Sequence, residues 1–377
     1  PSATTEPSAT MLPVTDTTPT ASPVPPTATA APSKGIRLNS PEYGMQCFLW
    51  WRPEVGTRDV QAVRQAGFNW IKLGLGWRDV ETSKGQFNWV QLDDIAKWIG
   101  EQQIDLVVRL DHQPAWSSGG SEVNGPPNNY ADFGDFCFAL ASRYKGRFRA
   151  YEVWNEPNLA REWGGRPPNP AQYVALLKVA YQRIKQADPN AIVVSAGLSP
   201  TGTNDANAMP DDIYLERMYQ AMGGNSTGYF DALGAHAPGY KAPPELDPAE
   251  AAANKAAYGG ERFFCFRRVE DLRKIMVKYG DEGKQIWILE MGWTSDTIHP
   301  SYAWHAVTEE QKADYLVRAY QYAKKNWSPW IGLMSLIYIC NPDWTENDEQ
   351  YWWAITYPGY PELKPRPAYN ALKAMPK

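Results

Sequence analysis

Two glutamates follow apolar, strand-like runs of the sequence, and each has tryptophan close by. Glu156 comes after the run Tyr-Glu-Val-Trp-Asn at 151–155, and Glu290 comes after Ile-Trp-Ile-Leu at 286–289. A pair of carboxylic acids can split a glycosidic bond, because one protonates the leaving oxygen while the other attacks the anomeric carbon. The pattern therefore predicts an acid pair suited to cleaving bonds between sugars.

The runs that carry these acids belong to a longer alternation of strand-like and helix-like segments. Eight strand-like runs lie at 43–50, 68–75, 104–110, 149–155, 191–196, 229–235, 285–290 and 331–339. Amphipathic stretches that we predict as helices lie at 59–66, 92–102, 130–144, 170–187, 211–222, 263–279 and 309–325, with N-caps at Asp59, Asn169, Asp211 and Thr308.

This alternation predicts an α/β fold of the (β/α)8 TIM-barrel type in a single domain over residues 35–377. A doubly wound open sheet is the alternative. Such a sheet normally carries a glycine-rich phosphate loop after its first strand. The first run here ends Leu-Trp-Trp at 49–51, which favours the barrel.

In a barrel of this kind, functional side chains project from the carboxyl ends of the strands. The sequence offers polar and aromatic residues at those positions, and aromatic rings can stack on the apolar faces of sugars. The candidate substrate-binding residues are Trp77, Asp111, His112, Trp116, Asn155, His236, Tyr240, Trp293 and Trp344. Asp111 and His112 are adjacent and no third ligand follows at metal-binding spacing, so we expect neither a metal nor another cofactor.

Strand alternation also predicts a buried charge beneath the acid pair. Glu152, Trp154 and Glu156 share one face of their strand, with Glu152 deepest in the barrel. A buried carboxylate needs a partner. Arg109 on the neighbouring strand is the expected one, in an internal ion pair rather than a catalytic role.

Several motifs together resemble glycoside hydrolase clan A, the retaining (β/α)8 barrels in which Asn-Glu ends strand 4 and Glu ends strand 7. The resemblance runs from about residue 35 to the C-terminus and is greatest to family 39 and the family 5-like cellulases. It rests on Trp-Arg-Asp-Val-Glu at 77–81, Lys-Gly-Gln-Phe at 84–87, Pro-Ala-Trp at 114–116, Trp-Asn-Glu-Pro at 154–157 and Leu-Glu-Met-Gly-Trp at 289–293.

The resemblance implies that Glu156 is the acid/base, protonated at rest, and that Glu290 is the ionised nucleophile of a retaining β-glycosidase. It implies that Asn155 binds the sugar 2-hydroxyl and that His236 orients the acids. The family often has His-Pro-Tyr where this chain reads His-Ala-Pro-Gly-Tyr at 236–240, so Tyr240 is displaced. The usual tryptophan at the end of strand 8 is also missing; Trp344, Trp352 or Trp353 is expected to replace it.

Composition limits the other possibilities. The net charge of −5, without a long basic stripe, argues against nucleic acid, and no apolar stretch is long enough to span a membrane. The partner we expect is an oligo- or polysaccharide, bound by a monomer. Four cysteines, Cys47, Cys137, Cys265 and Cys340, are too few for a disulfide scaffold; Cys47 and Cys340 are either bridged or buried thiols.

Residues 1–34 consist almost entirely of proline, threonine, serine and alanine. Such a composition predicts a disordered, solvated linker. Linkers of this kind usually follow an export signal or lipid anchor, so we expect a secreted or surface-tethered bacterial protein. Two alternatives to an enzyme remain at this point: a carbohydrate-binding pseudoenzyme and a cell-surface adhesion module on the same barrel.

Overall fold

The structure is a computed structural model that describes residues 36–377. Eight parallel strands form one sheet with the order β5-β4-β3-β2-β1-β8-β7-β6. The strands are β1 Glu42–Cys47, β2 Trp70–Gly76, β3 Asp105–Asp111, β4 Ala150–Val153, β5 Ile192–Ser195, β6 Leu233–His236, β7 Ile286–Met291 and β8 Ile331–Leu336. The linker that we predict at 1–34 lies outside the described residues.

The two outer strands of this order meet and close the sheet into a barrel. Val194 of β5 forms a parallel bridge with Ala232, just before β6. The backbone N–H of Ser195 donates to the carbonyl oxygen of Ala232 over 3.2 Å. Each of the eight strand-like runs overlaps one of these strands. The TIM-barrel prediction is confirmed, and the open-sheet alternative is wrong.

Helices connect the strands and surround the barrel. They are α1 Gly56–Gln65, α2 Trp77–Val80, α3 Val90–Gln102, α4 Tyr130–Arg143, α5 Pro170–Ala187, α6 Asp211–Ala221, α7 Pro248–Ala253, α8 Lys255–Tyr258, α9 Val269–Lys278, α10 Pro300–Ala303, α11 Glu309–Asn326, α12 Glu349–Trp353 and α13 Pro367–Ala374. Single 3₁₀ turns lie at Pro53–Val55, Ala115–Ser117, Ala160–Glu162 and Phe266–Arg268. A short antiparallel pair, β9 Thr356–Tyr357 and β10 Lys364–Pro365, precedes α13.

Two of the four predicted N-caps are confirmed. The side chain of Asn169 accepts from the backbone of Gln172 at the start of α5, and Thr308 forms a reciprocal capping box at the start of α11. Asp59 and Asp211 are not caps. Helix α1 begins before Asp59, and the buried carboxylate of Asp211 instead accepts from Arg268 over 2.7 Å, which satisfies a buried charge.

The barrel interior changes from apolar to polar along the strands. Near the amino ends of the strands, Trp70 and Trp287 pack edge to face at 5.3 Å, and Ile36 and Leu38 cover them from below. Two residues further along β2, the same face carries Lys72. The apolar layer of Trp70 and Trp287 therefore lies beneath the polar layer of Lys72, and the polar layer lies beneath the mouth of the barrel.

The four cysteines are buried free thiols, so Cys47 and Cys340 are not bridged. Among the described residues, no helix combines the length and the apolar character that a membrane crossing requires.

Candidate active site

A sharp turn at the end of β4 places Glu156 at the mouth of the barrel. The strand ends at Val153, and both Trp154 (φ 74°) and Glu156 (φ 39°) have left-handed backbones. Such conformations are uncommon in residues other than glycine and persist where the surrounding structure enforces them. The turn ends the strand alternation, so Trp154 does not share a face with Glu156 as we expected. Its ring packs against Phe133 and Trp163, with centroids 5.9 Å away in each case.

The structure brings the two candidate acids together around one imidazole. A carboxylate oxygen of Glu156, a carboxylate oxygen of Glu290 and a ring nitrogen of His236 all lie within 4.8 Å of one another. Nδ1 of His236 is 3.0 Å from Oε1 of Glu156 and 3.8 Å from Oε2 of Glu290. Retaining glycosidases place their carboxyl groups about 5–5.5 Å apart, and inverting enzymes roughly 6.5–9.5 Å apart. The separation fits retention.

The second oxygen of Glu290 contacts two buried cations. Oε1 of Glu290 is 2.8 Å from Nζ of Lys72 and 3.5 Å from Nη1 of Arg109. Burial raises the pKa of Glu290, but Lys72, His236 and Arg109 together outweigh burial and lower this pKa to about 2. Glu290 is therefore ionised at neutral pH, as a nucleophile must be.

Lys72 also supplies the charge that the carboxylate of Glu152 needs. Its Nζ lies 3.4 Å from Oε2 of Glu152, and both side chains are fully buried. The expected partner, Arg109, binds Asp111 instead, with Nε 2.9 Å from Oδ2. The predicted internal ion pair at Glu152 is confirmed, but its partner is Lys72 and not Arg109.

The pKa of Glu156 lies below its ordinary value. Burial raises the pKa of this carboxyl and the charge of Glu290 adds to that effect, but the hydrogen bond and charge of His236 prevail, with help from Arg161. Nη2 of Arg161 is 3.0 Å from Oε2 of Glu156. A lowered pKa keeps Glu156 ionised at neutral pH, which differs from the expectation that it is protonated at rest.

Asn155 is held by the same arginine that contacts Glu290. Nη1 of Arg109 donates to Oδ1 of Asn155 over 3.2 Å. Since the guanidinium can only donate, the amide oxygen of Asn155 is occupied and its NH₂ group is left to donate to a ligand.

These side chains lie in a cavity of about 500 Å³ at the mouth of the barrel. Of the candidate residues, Asn155, Glu156, His236, Tyr240, Glu290 and Trp344 line it. Further lining residues include Gln46, Phe48, Arg161, Tyr302, His305, Tyr338 and Trp353. The size and the mixture of aromatic and polar groups are typical of a site for a small organic ligand.

A family model described as cellulase, glycosyl hydrolase family 5, matches residues 30–229, more than half of the chain. The chain belongs to this family. The resemblance to clan A is thereby confirmed, and this glycosyl hydrolase family 5 chain is a retaining β-glycosidase that works by double displacement. No curated protein matches it significantly in sequence.

Several solved structures share the fold. A family 39 glycoside hydrolase from the gut symbiont Bacteroides cellulosilyticus aligns with a TM-score of 0.64 at 17% identity, over 89% of this chain and 63% of that protein. Xylanase 10B from Thermotoga petrophila in complex with xylobiose aligns with a TM-score of 0.57 at 15% identity, over 88% and 93%. An exo-β-1,4-mannosidase from an Opitutaceae bacterium aligns with a TM-score of 0.54 at 13% identity, over 92% and 62%. At these identities the likeness concerns the fold.

Three tryptophans that we predicted as sugar platforms are used for packing in this family 5 barrel. Trp77 and Trp293 are fully buried. Nε1 of Trp77 donates to the Glu81 carboxylate, and Nε1 of Trp293 donates to a backbone oxygen. Trp116 packs edge to face on Trp77 at 5.5 Å and donates to the carbonyl of Glu81. The two buried rings offer a sugar no face, and none of the three lines the cavity.

Asp111 and His112 also lie away from the cavity lining. Asp111 is buried between Arg109, at 2.9 Å, and His112, at 2.7 Å. Both carboxylate oxygens face these two side chains, and Asp111 does not line the cavity, so the structure does not support a sugar contact from Asp111.

Two residues at or beneath the cavity that we did not predict, Tyr338 and Lys72, carry signals in the sequence. Lys72 is a lysine inside an apolar strand run at 70–75, which is unusual unless it meets a buried carboxylate. Tyr338 follows β8 at the position where the clan's tryptophan was expected, and its ring is 5.2 Å from that of Trp344. Tyr302, in the short helix α10, and His305, just after it, lie in the connection between β7 and α11, and no local pattern marks them.

Gly197 offers a test of how His236 is held. A Cβ at this position would overlap the imidazole of His236. We expect Gly197→Ala to displace the ring from both acids and to lower kcat/KM about 10²-fold, since small misplacements of reacting groups have effects of this size. The matched control is Gly100→Ala in helix α3, where a Cβ meets nothing within 4 Å. Equal kcat/KM in both variants would contradict the role of His236.

Lys72 offers a test of what keeps Glu290 ionised. Lys72 favours the charged form, so Lys72→Met raises the pKa of Glu290. The pH below which kcat/KM falls, the acid limb of the pH profile, should then rise by about 1–3 units. Lys312→Met is the control, because Lys312 is also buried and paired with a carboxylate, Glu309, at 2.9 Å, but contacts neither Glu156 nor Glu290. In both variants the free energy of unfolding should fall by about 3–5 kcal/mol. An unchanged acid limb in Lys72→Met would show that Lys72 does not keep Glu290 ionised.

Proposed function

We propose that this family 5 enzyme hydrolyses β-linked oligo- or polysaccharides, with Glu290 as nucleophile and Glu156 as acid/base. The observation that carries the assignment is the pairing of two close acids with different partners. Glu290 faces two buried cations, whereas Glu156 faces an imidazole and a mostly exposed arginine. Environments that differ in this way assign different roles to two carboxyl groups.

In the first step, Glu290 attacks the anomeric carbon and forms a glycosyl ester. Lys72 and Arg109 both contact Oε1, so Oε2 is the oxygen that is free to attack. The bond from the anomeric carbon to the leaving oxygen breaks at the same time, and Glu156 gives its proton to that oxygen. The NH₂ group of Asn155 donates to the sugar 2-hydroxyl.

Glu156 must carry a proton before it can give one to the leaving oxygen. Burial raises the pKa of this carboxyl, and a bound sugar adds to that effect because it displaces water from the carboxylate. Nδ1 of His236, 3.0 Å from Oε1, holds the carboxyl in place.

In the second step, water hydrolyses the ester and Glu156 accepts its proton. The charge of Glu290 raises the pKa of Glu156, and this charge disappears once the ester has formed. The pKa of Glu156 therefore falls between the two steps. The same side chain changes from donor to acceptor without any movement of the backbone.

The anomeric form of the first product tests this mechanism. Two successive displacements return the anomeric carbon to its original configuration. Proton NMR of a fresh digest of a β-glycoside should therefore show the β-anomer first and the α-anomer only after mutarotation. A panel of aryl β-glycosides and polysaccharides, followed by product chromatography, identifies the substrate. A first product in the α-form would contradict the assignment.

We also propose that the protein works outside the cell or tethered to its surface, as a monomer. The support is the proline- and threonine-rich composition of residues 1–34, which suits a spacer between an anchor and a catalytic domain. Cell fractionation with an antibody to the barrel tests this; detection in the cytoplasm alone would contradict it.

A further inference from the structure

Both carboxylate oxygens of Glu156 are already in contact with a nitrogen atom of another side chain. Oε1 lies 3.0 Å from Nδ1 of His236, and Oε2 lies 3.0 Å from Nη2 of Arg161. A guanidinium can only donate hydrogen bonds, so Arg161 keeps Oε2 as an acceptor. An acid that protonates a leaving oxygen must instead donate from one of its two oxygens. One of these contacts therefore has to open before Glu156 can act.

The contact with His236 is held in place by packing. The imidazole is 3% exposed, and a Cβ on Gly197 would overlap it. The ring thus lies directly against the backbone that follows β5, while its Nδ1 faces both acids. His236 has no room to turn away, so Oε1 stays beside the imidazole and Oε2 is the oxygen that can be freed.

The contact with Arg161 is made by a side chain that is free to move. This side chain is 71% exposed. The loop that carries it is fixed, because the N–H of Ala160 donates to the carbonyl of Asn207 over 2.7 Å and the carboxylate of Glu162 accepts from Asn124 over 2.6 Å. Ion pairs with a solvent-exposed partner are weak, so the hydroxyls of a bound ligand can compete for the guanidinium.

A second acceptor for Arg161 already lies beside it. Nε of Arg161 is 3.8 Å from Oε1 of Glu162, and both residues line the cavity together with Glu156. When the guanidinium leaves Glu156, Glu162 keeps it at the mouth of the barrel, with further N–H groups for the oxygens of a sugar. The leaving-group sugar is the one that reaches this position, because Glu156 protonates the oxygen that joins it to the rest of the substrate.

From these contacts we propose that Arg161 controls the protonation of Glu156. In the free enzyme Arg161 covers Oε2. The leaving-group sugar accepts hydrogen bonds from Arg161 and draws the guanidinium toward Glu162. Oε2 then gains a proton from solvent, and Glu156 passes this proton to the glycosidic oxygen as the bond to the anomeric carbon breaks. The proposal rests on the proposed function, since it needs Glu156 as the acid.

The charges around Glu156 determine the direction of the effect. Burial raises the pKa of Glu156 and His236 lowers it; Glu290 raises it and Arg161 lowers it. Burial and the charge of Glu156 raise the pKa of Glu162, on the same loop as Arg161. Three tyrosines nearby stay neutral at neutral pH, because burial raises their pKa: Tyr240, Tyr302 and Tyr338. Loss of the Arg161 charge therefore raises the pKa of Glu156.

The pH profile of hydrolysis of a β-linked oligosaccharide tests the proposal. The profile of kcat/KM reports the free enzyme, and that of kcat reports the enzyme–substrate complex. Both should fall above the pH at which Glu156 loses its proton, the base limb. In the parent, Arg161 covers Oε2 only in the free enzyme, so the base limb of kcat should lie above that of kcat/KM. In Arg161→Ala the base limb of kcat/KM should rise by about 1 unit, and the gap between the two limbs should narrow.

Salt and two further variants serve as controls. At 1 M salt the Debye length is about 3 Å, so salt should raise the base limb of kcat/KM more in the parent than in Arg161→Ala. Arg161→Lys keeps the charge and should return this limb toward that of the parent. Arg143→Ala removes an arginine from a 2.6 Å pair with Asp93 on the outer helices α4 and α3, and it should move neither limb.

Base limbs that are the same in the parent and in Arg161→Ala would overturn the proposal and leave the glycosidase assignment intact. The same conclusion would follow from a loss of kcat/KM that is equal at every pH, since that is the effect of a residue that only supports its loop. Failure of the parent to hydrolyse any glycoside of the panel would overturn both the role of Arg161 and the proposed function.

Discussion

Glu290→Ala should lower kcat on an aryl β-glycoside by about 10⁴-fold or more, the scale of loss when a reacting group of a catalytic unit is removed. The cause is specific to this site. Without the carboxylate nothing attacks the anomeric carbon, and the two cations that held it, Lys72 at 2.8 Å and Arg109 at 3.5 Å, face an empty space. Steady-state kinetics with a chromogenic glycoside measures the loss.

The same variant should also be less stable, because Lys72 keeps only Glu152 as its partner. Glu282→Ala is the control: it removes an exposed carboxylate from the turn before β7 and should change neither kcat nor the unfolding temperature. A Glu290→Ala protein that folds like the parent and turns over within tenfold of its rate would exclude Glu290 as the nucleophile.

Glu156→Ala should show a loss that depends on the leaving group. A poor leaving group needs protonation, so its kcat/KM should fall by about 10²–10⁴-fold. A nitrophenyl leaving group departs without help, so its kcat/KM should fall far less. Hydrolysis of the ester still lacks its base, so the glycosyl-enzyme should accumulate, with a burst of released phenol and a lowered KM.

A series of aryl glycosides with graded leaving-group pKa values checks this expectation. In the parent, log kcat/KM should change little with the leaving group; in Glu156→Ala it should fall steeply as the leaving-group pKa rises. Arg161→Ala is the matched comparison, since it removes the exposed contact at 3.0 Å but keeps the acid. An equal loss for every leaving group in Glu156→Ala would assign Glu156 to a structural role.

The fold and the acid pair could be predicted because their signals are local. Each strand is a short apolar run, and Glu156 and Glu290 directly follow such runs. The carboxyl ends of all strands meet at one face of a parallel barrel, so two acids that end strands come close together even when they are far apart in the sequence. Helix α5 has the predicted bounds, 170–187, because proline and an asparagine cap mark its start.

The surroundings of the acids could not be predicted because they depend on packing between distant segments. Arg109 has four carboxylates in its neighbourhood, and only the structure shows that Asp111 is the nearest, at 2.9 Å. The burial of Trp77 and Trp293 is set by helices and loops that follow them. The left-handed turn at Trp154 reverses the face of its ring, and no residue there signals it.

The configuration of azide products tests the central assignment most directly. In Glu290→Ala, azide should enter the space left by the nucleophile and attack a β-glycoside from that face, so the product is the α-glycosyl azide. In Glu156→Ala, azide should attack the glycosyl ester of Glu290 from the opposite face and give the β-glycosyl azide. NMR distinguishes the two products. The same anomer from both variants, or the two anomers exchanged, would contradict the roles that we assign to Glu290 and Glu156.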